Sequence, residues 1–89
     1  MTASPSQFDK AAEVLGKLGV RIRRERLGGS GGGLCVIREE SVFFLDLDAD
    51  PQTQLDSCIE ALASIPEAGS VYMPPFIRES IDRLRANPD

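Results

Sequence analysis

The chain reads as a single α+β domain, a mostly antiparallel sheet of three to four strands with helices packed on it, in the order α-β-β-β-α-(β)-α. Three observations lead there. Apolar residues recur at helical spacing near both ends, two adjoining runs in the middle are rich in β-branched and aromatic residues, and Gly and Pro punctuate the junctions.

Residues 1 to 5 and 87 to 89 read as flexible tails around a domain of residues 6 to 86. Phe8, Ala11, Ala12, Leu15 and Leu18 mark a first helix, with Ser4 or Ser6 as its cap, Pro5 near its first turn and Gly19 as its stop. Val20 to Leu27 suits a strand, but only Val20, Ile22 and Leu27 in it are apolar, so it belongs at a sheet edge. Leu34 to Ile37 and Val42 to Leu47 read as a hairpin turning at Glu39 and Glu40. That register sets Ile37 opposite Val42, Cys35 opposite Phe44 and Gly33 opposite Asp46. It also leaves apolar residues on both sheet faces, so helix 3 or a second subunit is expected to cover one of them. Asp50-Pro51 starts a second helix with Leu55, Cys58, Ile59 and Leu62 on its apolar side, ending at Pro66. Val71 to Met73 is a short candidate strand. Pro74-Pro75 then opens a third helix, with Ile77, Ile81 and Leu84 as its buried side.

Between the first two strands lies Gly28-Gly29-Ser30-Gly31-Gly32-Gly33, five glycines in six positions. Each glycine costs folding about 0.5–1 kcal/mol relative to alanine, so the run calls for a local reason. It is not a P-loop, because no Lys-Ser/Thr and no helix follow, nor does it match the dinucleotide fingerprint. A mobile linker would not join two strands of one sheet, so the run reads as a wide hairpin connection between them.

Composition narrows the chemistry. The 89 residues carry a net charge of −4, with 42% hydrophobic and 27% charged residues and no His. Without His, His-based triads and the usual zinc sites are excluded, and acid–base chemistry falls to carboxylates. The acidic balance disfavours nucleic acid and anionic membrane as partners. Arg21, Arg23, Arg24 and Arg26 are clustered but interrupted by Glu25, and alternation sends them to opposite faces; they read as a solvated edge. Cys35 and Cys58 form no C-x-x-C pair and no leader pattern opens the chain, so a cytoplasmic location with reduced thiols is expected.

The expected register brings the glycine run to the sheet end that carries Asp46, Asp48 and Asp50. Two readings follow. In one, Gly31, Gly32 and Gly33 bind an anion through their N–H groups while Asp46, Asp48 and Asp50 hold Mg²⁺, with Glu13 or Arg24 as helpers. In the other, Asp46 accepts the glycine N–H groups and Asp50 caps the second helix. Asp46-Leu47-Asp48-Ala49-Asp50 begins like an EF-hand loop but lacks its sixth-position Gly and twelfth-position Glu.

The element order α-β-β-β-α resembles double-stranded RNA-binding domains, but Asp50-Pro51-Gln52-Thr53 stands where that family has a lysine cluster. The longer order α-β-β-β-α-β resembles the PD-(D/E)xK nuclease core over about half the chain. That resemblance implies Mg²⁺ bound at Asp46. It departs at Gly33-Leu34-Cys35, which lacks the first Asp, and at Asp48, which stands in the lysine position.

The first functional expectation is thus a small non-catalytic interaction or structural module that self-associates as a homodimer, or binds a protein partner, through a sheet face or edge. The alternative is a divalent-metal-dependent phosphoester- or nucleotide-binding protein built on Asp46, Asp48 and Asp50. A further possibility is strand addition on the Val20–Leu27 edge, with Tyr72, Pro74, Pro75, Phe76 and Arg78 as an accessory surface.

Overall fold

A computed structural model describes residues 5 to 29 and 31 to 86. It is an α+β fold with elements α1 (Pro5–Lys17), β1 (Arg21–Glu25), β2 (Gly33–Ile37), β3 (Glu40–Asp46), α2 (Pro51–Ala63), a 3₁₀ turn (Pro66–Ser70) and α3 (Pro75–Ala86). Pro5 already opens α1, so Ser6 lies inside the helix; Ser4 and the expected tails at 1–4 and 87–89 lie outside the described residues.

α1 ends as its glycine requires. Gly19 has φ of 80°, its N–H donates to the Gly16 carbonyl at 3.1 Å, and the Val20 N–H donates to the Leu15 carbonyl at 3.1 Å. This is the Schellman pairing, which satisfies carbonyls the helix leaves open. α2 starts at Pro51, with the Asp50 carboxylate accepting the Thr53 N–H at 2.7 Å.

The sheet corrects the sequence reading. It has three strands in the order β1-β3-β2, with β1 parallel and β2 antiparallel to β3. β1 and β2 are therefore both edges, and the glycine connection is not a wide hairpin. It crosses over the C-terminal end of β3. Flanking strands are about 9.6 Å apart, a gap that the seven residues Arg26–Gly32 span with slack. Residues 71–73 join no strand: Met73 is buried among the helices instead, which limits the sheet to three strands among the described residues.

The hairpin turn is also displaced by one residue. Arg38 (φ 51°) and Glu39 (φ 68°) form the two-residue turn, so Ile37 pairs with Glu40, Cys35 with Val42, Leu34 with Phe43 and Gly33 with Phe44. Positive φ at both central positions is the type I′ geometry that matches strand twist, and that match prevails over the reluctance of Arg and Glu to adopt it. The pairing slips by two residues from the expected register, so every side chain keeps its face.

Phe43 and Leu45 on β3, with Ile22 and Leu34 beside them, join the core built on Phe8, Ala11, Val14 and Leu15 of α1 and Leu55, Cys58, Ile59 and Leu62 of α2. α1 packs on α2 and α3 packs on α2. α3 contributes Ile77 and Ile81 to the core, whereas Leu84 is 40% exposed rather than buried. The other sheet face carries Arg21, Arg23, Cys35, Ile37 and Phe44, none of which belongs to the core. α3 thus flanks α2 and does not close that face.

Candidate functional site

The glycine run meets the three aspartates at the C-terminal end of β3. Asp46 closes that strand with its side chain on the face away from the core, yet it is only 1% exposed because the crossing loop covers it. A buried carboxylate is tolerated only when it is well hydrogen-bonded. Here one oxygen, Oδ1, accepts the N–H groups of Leu27 at 3.0 Å and Asp48 at 2.9 Å. The other, Oδ2, accepts those of Gly29 and Gly31, both at 2.9 Å. An ionised carboxylate offers about four lone-pair positions, and the described residues supply four donors to them. Burial pushes this carboxyl's pKa up, but the backbone bonds from Asp48, Leu27, Gly31 and Gly29 outweigh it and hold the pKa below the ordinary aspartate value.

The glycines are explained by that arrangement. Gly29 and Gly31 have φ of 87° and 94°, which turns their N–H groups inward onto the one carboxylate. Gly32 lies so close to β3 that a Cβ on it would overlap the Phe44 carbonyl oxygen and sit 2.6 Å from the carbonyl carbon. Gly33 is already in β2, paired with Phe44 instead of Asp46. The loop is an anion-binding nest, and the anion in it is supplied by the chain itself.

Asp48 and Asp50 are engaged elsewhere. Asp48 accepts the Arg26 guanidinium at 2.9 Å through Oδ1 and the Gly28 N–H at 3.0 Å through Oδ2. Asp50 caps α2, and the hydrogen bonds from the Thr53 backbone and side chain keep its pKa below the ordinary value despite a small opposing effect of burial. Among the described residues, no three Cys, Asp or Glu side chains gather where they could hold a metal ion. Glu13 is exposed on α1 and Arg24 is exposed on β1 beside Leu45. Among the described residues, donors to Asp46 and Asp48 beyond Gly31 include the N–H groups of Leu27, Gly28, Gly29 and Asp48 and the Arg26 guanidinium. A sequence signal for them existed in the alternation Asp46-x-Asp48, which sets two acceptors along the loop's path.

A hollow of about 400 Å³ lies between α2 and α3 and is lined by Leu55, Asp56, Ile59, Ser80 and Leu84 among others, with no residue from the loop or the three aspartates. Cys58 is buried, and burial pushes its thiol up to about 12, out of nucleophilic range at neutral pH.

The two sheet edges differ sharply. β1 is Arg21-Ile22-Arg23-Arg24-Glu25, a charged edge of the kind that resists pairing. β2 is Gly33-Leu34-Cys35-Val36-Ile37, with no charge and no proline, and Val36 and Ile37 are 69% and 46% exposed. On the open face the Arg23 guanidinium sits over the Phe44 ring, 5.6 Å from its centre, and so screens the aromatic surface nearest β1. Exposed apolar surface is left at β2.

No family model, curated protein or solved structure matches the chain. Among the described residues no helix is long and apolar enough to cross a membrane.

Proposed function

We propose that the chain is a non-catalytic interaction module that self-associates through its sheet, and that the contact runs along the β2 edge. The observation that carries this reading is the uncharged edge strand whose Val36 is 69% exposed, opposite an arginine-rich edge in the same sheet. The alternative, Mg²⁺-dependent phosphoester or nucleotide binding, would require Asp46 to give up four backbone hydrogen bonds and Asp48 to leave Arg26 and Gly28. Those prior engagements favour the structural role for the glycine loop.

Hairpin geometry supplies a clean perturbation. Ile37 and Glu40 flank the two-residue turn and form a hydrogen-bonded pair, so by alternation Cys35 and Gly33 also point their main-chain groups at β3, whereas Leu34 and Val36 point theirs outward. Val36→Pro removes an outward N–H and is compatible with an edge strand. Light scattering on a size-exclusion column, over a wide concentration range, should show wild-type dimer and a Val36→Pro protein that is monomeric with an unchanged circular-dichroism spectrum. A strictly monomeric wild type would overturn the proposal.

A further inference from the structure

We infer that the partner on the β2 edge is a second copy of the same strand, laid antiparallel about a two-fold axis that passes at Cys35, so that two three-stranded sheets become one of six strands in the order β1-β3-β2-β2-β3-β1. The inference rests on the self-association proposed above and adds its partner element and register.

Laid antiparallel, the strand fits itself in one register that uses all of its length. With Cys35 on the axis, Leu34 faces Val36 of the partner subunit and Gly33 faces the partner's Ile37, so all five residues of β2 are paired. Any other register leaves part of the strand unmatched. The outward main-chain groups of Leu34 and Val36 then meet each other as hydrogen-bonded pairs, which yields four backbone hydrogen bonds, and Cys35 falls on a non-hydrogen-bonded pair. Side-chain sizes agree as well. The bulk of Ile37 lies over the partner's Gly33, where a Cβ would have no atom within 4 Å in the single chain. No like charges are set opposite each other within the paired strands, since β2 carries none. The same five-residue overlap on β1 would set Arg23 against its own copy.

Cysteine cross-linking reads this register directly. In a non-hydrogen-bonded antiparallel pair the Cα atoms are about 4.5 Å apart, within the range a disulfide spans. Mild oxidation with diamide takes two protons and two electrons from the two facing thiols to form one disulfide. Wild type should give a covalent dimer on a non-reducing gel, and Cys35→Ser should abolish it while leaving the scattering dimer intact. Val36→Pro should slow the cross-linking at least about tenfold, since it removes two of the four bonds. In a Cys35→Ser background, Val36→Cys and Ile37→Cys should each cross-link at least about tenfold more slowly than wild type, because neither faces its own copy in this register. A dimer by light scattering that cross-links better through position 36 or 37 than through 35 would overturn the register and leave self-association standing. A chain that stays monomeric would remove both.

Discussion

Replacing Gly32 by alanine should dislodge the loop, whereas the same substitution one residue later should not. The new methyl group at residue 32 would overlap the Phe44 carbonyl oxygen and lie 2.6 Å from the carbonyl carbon. Ordinary contact begins near 3.4 Å, so clearing the carbonyl carbon alone requires loop and strand to part by about 0.8 Å, and clearing the oxygen requires more. No rotamer can relieve this, because the methyl group is fixed by its own backbone and the carbonyl belongs to the backbone of the central strand. Overpacking costs about 1–3 kcal/mol, and a clash with the backbone of a central strand belongs at the upper end. For a domain of this size about 3 kcal/mol lowers the melting temperature by roughly 12–24 °C. At residue 33 a Cβ would meet no atom within 4 Å and the backbone is extended β2, so alanine there should stabilise by about 0.4–1 kcal/mol through the unfolded chain. Thermal melts followed by circular dichroism decide the matter. If Gly32→Ala melts within about 2 °C of wild type, or both variants shift the same way, the crossing of the loop over β3 is wrong.

Asp46→Asn should destabilise the protein at neutral pH and flatten its acid limb. The folded pKa lies below the unfolded one, so the contribution is present above the unfolded value near 3.9 and fades as pH falls through the folded value. Urea melts should show the wild type losing stability below about pH 4 and the variant changing less over the same range; parallel curves would refute the clamp. The turn offers the opposite test: Arg38→Asn with Glu39→Gly replaces two side chains held at positive φ by the pair that type I′ turns prefer, and should raise stability by about 1 kcal/mol or more in a denaturant titration. An unchanged midpoint would mean that the turn is not of that type.

Much of the fold could be read from residue patterns because the deciding physics is local. Asp50-Pro51 announced α2, Gly19 stopped α1, and Phe8, Leu15, Leu55, Cys58, Leu62, Ile77 and Ile81 are all in the core. Helical spacing alone omits the buried Val14 and includes the exposed Leu84, since a helix's buried stripe depends on which neighbour it meets. The sheet order was harder. Sequential strands most often pair, which favours β1 and β2 as neighbours, although the near-continuous apolar run Val42-Phe43-Phe44-Leu45 marks β3 as the central strand. The turn moved by one residue because backbone twist prevailed over residue preference at Arg38 and Glu39. At the site, the sequence brought loop and aspartates together but left open which group takes the glycine N–H donors. That depends on the last side chain of β3 being turned under the loop, a matter of three-dimensional path.

The inequality of the two sheet edges has a consequence for growth. A monomer with two adhesive ends polymerises, while one with a single adhesive end can only couple once. With Arg21, Arg23 and Arg24 along β1 and none but neutral residues along β2, the chain is monofunctional in that sense. In the proposed pairing, coupling would consume the adhesive end of both copies and leave a product terminated on each side by arginines, so the sheet would stop at six strands where an unguarded one would extend into a fibre.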